Sequence, residues 1–537
     1  MRLPAGGAAV ATIEAAVEAG ITVFDTARTY DGNEQLLSRT LLTLEGVRIV
    51  TKGGMSRPGG AWVPDGRARS IRAGCEASLV ALDGLPIDLY LLHAPDPRTP
   101  WRTSVRALAR LADEGLVARV GVCNVNRAQL DEALELAPIS AVQVALNVFD
   151  DRALRGGLLD RCIEAGSTLI AHSPLGGPRR SQTLARHVPL AEIAAARGVT
   201  EAELALAWLL DLAPNVVVIP GARRPETARS AARAASLRLE DRDRERLGRP
   251  RSRPAVSART GDVVIVMGVP GAGKSRVAAE YLRRGYLRLN RDERGGSLRD
   301  IADELGDALA DGTREVVLDN TYLTRAARSY VVEAATRHGV PARCVWLDTP
   351  LAQAQVNLVE RLLDRFGALP SPEQLRAVAR SEPGLLTPTQ QMRALRELEA
   401  PADDEGFVSV EHTPFARLPR GGRAGVFVAA AAAHSFPVDG VDLDTPHLVF
   451  DWRPHGALSD LDEAVEFVTG VVAGPVEGTI CPHPGGAPIC WCRPPLPGLP
   501  LAFARRHAVD PARSIVVGAS PAHRTLADAL GARHTPA

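Results

Sequence analysis

The chain has 537 residues, with 63 basic and 63 acidic side chains. It is too long for one hydrophobic core and carries no net charge that would draw the whole molecule to nucleic acid or a membrane. At roughly 100 to 200 residues per domain, this length predicts about three domains. No apolar run approaches the ~20 residues that span a bilayer, and no signal-peptide core opens the chain. We therefore expect a cytoplasmic protein with reduced thiols and no membrane partner.

The basic residues are almost all arginine, because only Lys52 and Lys274 are lysine. Arginine serves where only positive charge is needed. It substitutes poorly where a compact ammonium must tune a neighbour's pKa or fit a phosphate loop. Chance survival of two lysines is the alternative, so their surroundings in the sequence decide the question.

Residues 1–247 alternate short β-branched runs with amphipathic helical patterns, which predicts βα units around a parallel sheet. Seven strands are predicted, at residues 21–27, 47–52, 88–93, 118–124, 141–147, 167–173 and 216–222. Residues 1–3 look like the tail of a first strand. We therefore expect a (β/α)8 TIM barrel whose first strand is truncated, through a late or misassigned start.

Polar residues close three of these strands, where the reactive groups of such barrels lie. Asp25, followed by Tyr30, ends one strand, Lys52 the next and His93 the third. Taken singly, a strand-end Asp also fits a helix cap and a strand-end His a core position. Together they favour a catalytic cluster.

The segments FDTARTYDGNE, IVTKGG, LYLLHAPD, VGVCNVN, VQVALN, AHSPLGG and VVVIPGARRPE resemble the aldo-keto reductase family across nearly all of this domain. The resemblance implies NADP-dependent reduction of a small carbonyl substrate. By this resemblance, Tyr30 would donate the proton and Lys52 would lower the Tyr30 pKa. Asp25 would hold Lys52 in place, and His93 would orient the carbonyl.

The same resemblance assigns the cofactor-binding residues. Asn124 and Gln143 would hydrogen-bond the carboxamide, and His172 would stack on the nicotinamide. Ser173, Leu175 and Gly176 would contact the pyrophosphate of the cofactor. Arg223 and Arg224 would bind the adenosine 2′-phosphate. The arginine pair favours NADP over NAD, although a solvated helix start is the alternative.

Residues 248–260 are rich in Arg, Pro and Ser and are interpreted as a linker. The next domain, 261–415, opens with a strand, a G-x-x-x-x-G-K-S loop and a helix, the context that makes a P-loop credible. The glycines (Gly268, Gly271 and Gly273) let backbone N–H groups surround a phosphate. Lys274 would reach the β and γ oxygens of ATP, and Ser275 would bind Mg²⁺.

The motifs LRLNRDER, VVLDNTYLTR and VERLLDRFG follow, and this order resembles the polynucleotide 5′-kinase group. The resemblance implies Asp292 as general base for a 5′-hydroxyl nucleic acid, Arg291 on the acceptor phosphate and Asp319 at the acceptor or metal site. Arg361 and Arg365 would clamp the donor phosphates, unless they belong to a solvated helix face. A small-molecule acceptor, or simple NTP hydrolysis, stays open.

Residues 416–537 contain Cys481, His483, Cys490 and Cys492 at metal-ligand spacing, which favours structural Zn²⁺ over free thiols. The loop, and the segment 513–533, resemble the haloacid dehalogenase (HAD) superfamily of phosphatases. The expected catalytic carboxylates are absent, since Ala429, Ala431, Ala519 and His523 stand at those positions. We therefore expect a HAD-like α/β domain without phosphatase chemistry.

The leading hypothesis is a two-activity enzyme that reduces a carbonyl and transfers phosphate from ATP. One alternative is a nucleic-acid end-processing kinase whose barrel binds NADP without catalysis. Another is a small-molecule kinase that acts on the product of the barrel.

Overall fold

The computed structural model describes residues 7–96, 98–247, 261–382, 384–415, 421–454, 459–486 and 488–537. The predicted linker (248–260) and the predicted strand tail (1–3) lie outside these residues. Contacts divide the chain into two compact units, Met1–Pro254 with Thr324–Ser329, and Ala255–Leu323 with Tyr330–Ala537.

The first unit is built on a parallel sheet of seven strands in the order β1-β2-β5-β6-β7-β8-β9. Its strands and a small antiparallel hairpin, β3 with β4, are β1 (Val23–Asp25), β2 (Arg48–Gly53), β3 (Met55–Ser56), β4 (Val63–Pro64), β5 (Ile87–Leu92), β6 (Val120–Cys123), β7 (Ile139–Ala145), β8 (Thr168–His172) and β9 (Val216–Ile219). All seven predicted strands are present. Most of them are shorter than predicted at their carboxyl ends, so that polar residues included in the predicted ranges lie in the following loops. This unit is a (β/α)8-barrel-like domain.

Helices cover the outside of this sheet. They are α1 (Gly7–Glu18), α2 (Asn33–Leu41), α3 (Ala68–Leu82), α4 (Trp101–Asp113), α5 (Arg127–Leu134), α6 (Arg152–Arg155), α7 (Leu158–Glu164), α8 (Gly177–Arg180), α9 (Val188–Arg197), α10 (Glu201–Asp211), α11 (Pro225–Ala234) and α12 (Asp241–Leu247). Side chains alternate along β5. Leu89 and Leu91 join the cluster inside the barrel, whereas Tyr90 and Leu92 join the larger core under the helices.

The two outer strands of the sheet, β1 and β9, carry exposed apolar side chains. Val23 is 42% exposed and Val217 is 39% exposed. No eighth strand is found among the residues that the structure describes.

The second unit begins with a five-stranded parallel sheet in the order β11-β12-β10-β13-β14. Its strands are β10 (Asp262–Met267), β11 (Leu287–Leu289), β12 (Glu315–Leu318), β13 (Ala342–Asp348) and β14 (Ser409–Pro414). Its helices are α13 (Lys274–Arg283), α14 (Arg291–Arg294), α15 (Leu298–Ala310), α16 (Arg325–Arg337), α17 (Leu351–Phe366), α18 (Pro372–Ser381) and α19 (Pro388–Glu397). The first residues of α16, up to Ser329, are grouped with the first unit. The glycine-rich loop follows the central strand β10, so this is a P-loop domain.

A second five-stranded parallel sheet follows, in the order β17-β16-β15-β18-β19. It comprises β15 (Val426–Ala429), β16 (His447–Trp452), β17 (Val476–Cys481), β18 (Ile515–Val517) and β19 (Arg533–Thr535), with α20 (Ser459–Val471), α21 (Gly498–Arg506) and α22 (Pro521–Leu530). We call residues 421–537 the C-terminal domain.

The P-loop domain and the C-terminal domain share one hydrophobic core. Val359, Leu362 and Leu363 of α17 belong to the same buried cluster as Phe427 and Phe503 of the C-terminal domain. In the described part of the chain, no helix is both long and apolar enough to cross a membrane.

Candidate functional site

Asp25 and Lys52 form a buried ion pair at the carboxyl ends of neighbouring strands β1 and β2. The Lys52 Nζ donates to Asp25 Oδ1 at 2.5 Å and to the Thr26 carbonyl at 2.7 Å. Gln143 Nε2 donates to the other carboxylate oxygen of Asp25 at 2.8 Å. These bonds fix the ammonium, which is only 1% exposed.

Tyr30 and His93 lie beside this pair. Lys52 Nζ is 5.6 Å from the centre of the Tyr30 ring, and the Tyr30 and His93 rings meet edge to face at 6.1 Å. The four residues predicted from the strand ends are therefore brought together at one end of the barrel.

Trp62 completes an aromatic wall that the sequence analysis missed. Its ring lies 5.5 Å from His93 and 6.3 Å from Tyr30, although its side chain is 49% exposed. In the sequence, Trp62 stands in a Gly/Pro-rich loop, where a large apolar side chain is not needed for packing. Such a residue in a loop can indicate a binding site.

Burial controls the protonation of this site. It raises the pKa of Tyr30 above its usual value, and the nearby Lys52 charge offsets this only in part. The predicted lowering by Lys52 is therefore present, but the net direction is opposite. Burial, with the charges of Lys52 and His172, lowers the pKa of His93 to about 3. His93 is thus a neutral imidazole, and its Nδ1 is buried without a partner in the described part of the chain.

Three of the predicted cofactor residues form a hydrogen-bonded row next to His93. Asn124 donates to the His93 carbonyl at 3.0 Å, its Oδ1 lies 3.0 Å from His172 Nε2, and His172 Nδ1 lies 3.2 Å from Ser173 Oγ. Asn124 and Ser173 both have left-handed backbones, with φ of 56° and 50°. Such strained positions directly after strands are typical of ligand sites.

Of the other predicted cofactor residues, Gln143 lies on β7, where it donates to Asp25, and the rest lie in the loops after β8 and β9. Leu175 packs against the outer core. Gly176 has φ of 79°, and a Cβ there would meet Phe149 at 2.9 Å, so glycine is required. Arg223 and Arg224 are exposed at the start of α11, where backbone N–H groups are also available.

The P-loop is held by its carbonyl oxygens. Lys274 Nζ donates to the Gly268 and Val269 carbonyls at 3.0 and 3.1 Å. The next three carbonyls accept hydrogen bonds from distant helices and loops: Pro270 from Gln391 at 3.2 Å, Gly271 from Asn357 at 2.7 Å and Ala272 from Thr349 at 3.1 Å. The Gly268 and Ala272 N–H groups also bond within the protein, to the Thr321 and Val269 carbonyls. A loop held this way is suited to bind an anion through N–H groups of its other residues.

Lys274 is the more easily deprotonated of the two lysines. Burial lowers its pKa to about 8, with Asp319 and Asp292 opposing this effect and Arg361 adding to it. The structure therefore brings both predicted acidic residues, and one predicted arginine, into electrostatic reach of Lys274.

Asp319 makes a bidentate ion pair that was not predicted. Arg288 donates to its two oxygens at 2.9 and 2.7 Å, and the Asp319 side chain is fully buried. Asn290 Nδ2 donates to Asp319 at 2.9 Å, while Asn290 Oδ1 accepts from the Asp292 N–H at 2.7 Å. The N-R-D turn is thereby tied to β12, and Asp292 and Arg291 project with half-exposed side chains.

The two predicted clamp arginines have different surroundings. Arg361 donates to the Gly384 carbonyl at 3.0 Å. Arg365 pairs with Glu382 through two 3.0 Å hydrogen bonds on the exposed surface, as the solvated-face alternative predicted.

The four predicted metal ligands converge. Their ligand atoms all lie within 4.8 Å of one another, with Cys481 Sγ 3.3 Å from Cys492 Sγ and 3.7 Å from Cys490 Sγ, and His483 Nδ1 3.2 Å from Cys492 Sγ. Tetrahedral zinc with ~2.3 Å bonds to sulfur has S–S edges of about 3.8 Å. The spacing of these four ligand atoms therefore fits a tetrahedral zinc site. No disulfide joins cysteines in the described part of the chain.

The cysteine loop is connected to the P-loop through α19. Trp491 Nε1 donates to the Leu386 carbonyl at 2.9 Å, and Thr389 Oγ1 donates to the Pro488 carbonyl at 3.1 Å. Both contacts anchor the start of α19, whose Gln391 binds the P-loop.

The expected phosphatase positions carry no carboxylate in the folded C-terminal domain. Ala429 ends the central strand β15, and Ala519 follows β18. His523 packs edge to face on Phe450. A carboxylate nucleophile is therefore missing where the central strand would present it.

Two family models match different parts of the chain. Residues 7–249 match the family model described as the aldo/keto reductase family, and residues 263–380 match one described as an AAA domain. Among solved structures, a thermostable aldo-keto reductase with the inhibitor epalrestat is 34% identical, covers 44% of this chain and 85% of that one, and has a TM-score of 0.40. An aldo-keto reductase from Klebsiella pneumoniae in complex with NADPH is 28% identical, covers 44% and 82%, and also has a TM-score of 0.40.

Among curated relatives, "Probable aldo-keto reductase 1" from Glycine max is 30% identical over 268 residues, which cover 44% of this chain and 76% of the relative. Aldo-keto reductase str7 from Strobilurus tenacellus is 28% identical and is covered to 77%. The matched residues carry the Asp25, Tyr30, Lys52 and His93 cluster and the parallel barrel around it. Through its first unit, the chain belongs to the aldo/keto reductase family.

Proposed function

We propose that the barrel reduces a small carbonyl compound with NADPH. The observation that carries this proposal is the convergence of Tyr30 and His93 beside the fixed Lys52–Asp25 pair. The exposed Arg223 and Arg224 at the start of α11 support NADP over NAD, because they can pair with a 2′-phosphate.

NADPH, when bound, supplies the hydride. Tyr30 donates its hydroxyl proton to the carbonyl oxygen as negative charge develops there. Lys52 stabilises the phenolate that remains, and Asp25 keeps the ammonium in place. The neutral His93 orients the carbonyl by a hydrogen bond. Asn124, Gln143, His172, Ser173, Leu175 and Gly176 form the proposed cofactor surface.

The test is NADPH consumption with a panel of aldehydes and ketones, by the full chain and by its Lys52→Met variant. We expect turnover by the wild type and loss of it in the variant, with NADPH binding retained in both. NADPH binding without turnover of any carbonyl would instead support a non-catalytic barrel beside a nucleic-acid kinase.

We also propose that the P-loop domain transfers the γ-phosphate of ATP to a hydroxyl group, as a polynucleotide 5′-kinase does. The supporting observation is that the held P-loop, Lys274, Asp292 and Asp319 lie together. Lys274 and Ser275 would hold ATP with Mg²⁺, Asp292 would take the acceptor proton, and Arg291 would bind the acceptor phosphate. Asp319, paired with Arg288, would support this turn and the metal site.

This second proposal is tested with γ-labelled ATP, Mg²⁺ and 5′-hydroxyl oligonucleotides, using Lys274→Met and Asp292→Asn as variants. Label transfer by the wild type and by neither variant is the expected result. Label transfer to an alcohol made by the barrel, with none to oligonucleotides, would identify a small-molecule kinase.

For the C-terminal domain we propose a HAD-like fold that has lost phosphatase chemistry and holds a structural Zn²⁺ at Cys481, His483, Cys490 and Cys492. The supporting observations are the converging ligand atoms and Ala429 at the end of β15. Metal analysis of the purified chain should give one zinc per molecule, and Cys490→Ser should remove it.

A further inference from the structure

A cavity of about 590 Å³ lies between the P-loop domain and the C-terminal domain. Its walls are the outer side of the P-loop at Gly271–Gly273, the polar edge of α17, and the C-terminal domain. That volume is within the ~300–1,000 Å³ of small-molecule sites. We call this space the interdomain cleft.

Strand order fixes which side of the P-loop the cleft occupies. Because β10 lies between β12 and β13, Asp319, which follows β12, and α17, which follows β13, stand on opposite sides of the loop. The cleft is lined from the β13 side, by Asn357 and Arg361 of α17, and neither Asp292 nor Asp319 contributes to it.

This arrangement orients a nucleotide. A γ-phosphate directed towards Asp292 and Asp319 leaves the other end of the phosphate chain pointing to the β13 side. The nucleoside attached to that end then enters the interdomain cleft.

The C-terminal wall of the cleft is held in a fixed position. Leu501, Pro511, Ala512 and Leu530 provide it, and α21 and α22 pack against α17 in the shared core. Arg505 of α21 also forms an ion pair with Asp364 of α17 at 2.5 Å. The wall therefore does not depend on the closing of a separate domain.

The chemistry of the cleft suits a purine nucleoside. The half-buried ring of Phe415 and the exposed Ala512, backed by the buried Leu501, Pro511 and Leu530, can cover the face of a flat ring. Arg276 and Glu360 supply hydrogen-bonding groups at its edge. We propose that the nucleoside of ATP occupies the interdomain cleft and that the C-terminal domain, without phosphatase residues, thereby completes the ATP site. This inference rests on the proposed kinase function.

The test fills the cleft from the C-terminal side in the full chain. Ala512 is an exposed residue of the cleft wall, so Ala512→Trp adds a ring on the C-terminal side of the cleft. Ala431→Trp, the same change at an exposed alanine outside the cleft lining, is the control. Affinities for ATP and for inorganic tripolyphosphate are measured with Mg²⁺, and circular dichroism checks folding.

We expect Ala512→Trp to weaken ATP binding at least tenfold and to leave tripolyphosphate binding unchanged, with no effect of Ala431→Trp. Photolabelling of the wild type with 8-azido-ATP should mark residues 501–512. Unchanged ATP affinity, or equal losses for ATP and tripolyphosphate, would overturn the inference. A wild-type chain that binds neither compound would overturn the kinase proposal as well, which separates the two failures.

Discussion

At the scale of single residues, the two lysines differ in proton affinity although both are enclosed. Asp25 and Tyr30 raise the pKa of Lys52 against the effect of burial, whereas burial lowers the pKa of Lys274 to about 8. The difference arises because Lys52 has a carboxylate at 2.5 Å, whereas the amino group of Lys274 donates to the neutral Gly268 and Val269 carbonyls.

Amine-reactive labelling should distinguish these lysines. At pH 8 a large fraction of Lys274 is unprotonated and nucleophilic, so acetic anhydride should modify Lys274 well before Lys52. Mass spectrometry of the peptides measures this, with the chain's α-amino group as an internal reference. ATP with Mg²⁺ should protect Lys274, and faster labelling of Lys52 would contradict the structure.

Tyr30→Phe removes the proposed proton donor and keeps the ring. We expect kcat for carbonyl reduction to fall by about 10² to 10⁴-fold, while NADPH binding, followed by fluorescence, is preserved. Tyr90→Phe is the matched control, because Tyr90 is fully buried under the helices and faces away from the barrel interior. Equal losses in both variants would argue against a role of Tyr30 in proton transfer.

The pH dependence of reduction follows from His93. Its pKa of about 3 lies below the ordinary 6.5, so the ring stays neutral from pH 5 to pH 8 and protonation should not inhibit in this range. The profile of kcat/KM should therefore show no acid limb from His93. An acid limb near pH 6.5 in the wild type that vanishes in His93→Gln would refute this assignment.

At the scale of elements, α19 is the connection between the cysteine loop and the P-loop. Trp491 anchors the segment before it, and Gln391, which is fully buried, holds the Pro270 carbonyl. A disturbance at either end of α19 should therefore reach the phosphate site.

Gln391→Leu should weaken ATP binding several-fold, because one carbonyl of the P-loop loses its donor and the loop is less preorganised. Arg393→Ala is the control on the same helix, since this side chain is 74% exposed. Calorimetric titration with ATP and Mg²⁺ measures both. Equal affinities for Gln391→Leu and the wild type would show that the other hydrogen bonds suffice.

At the scale of the whole molecule, the P-loop and C-terminal domains share a core, and we therefore expect them to unfold as one cooperative unit. Thermal unfolding should show two transitions, one for each compact unit. Removing the proposed zinc, or introducing Cys490→Ser, should lower only the second transition by more than about 5 °C, since metal binding contributes directly to folding free energy. Differential scanning calorimetry tests this, and a third transition would mean that the two domains unfold separately.

Local sequence patterns were sufficient for most of this architecture. The βα alternation, the glycine-rich loop after β10 and the Cys/His spacing each depend on neighbours in the chain. The grouping of Asp25, Tyr30, Lys52 and His93 was predicted because the strand ends of a barrel meet at one face. The sequence by itself therefore determined the strands, the P-loop, the grouping of the four barrel residues and the convergence of the four Cys and His side chains.

Only the tertiary structure decided the rest. Gln391, Asn357 and Thr349 bind the P-loop from 77 to 121 residues away in the sequence. Local sequence patterns do not predict contacts at such separations. The Arg288–Asp319 pair, the position of Trp62 and the core shared around α17 depend on how elements pack. The tertiary structure also decided the direction of the Tyr30 pKa shift. Burial outweighs the neighbouring Lys52 charge because the folded barrel encloses the ring.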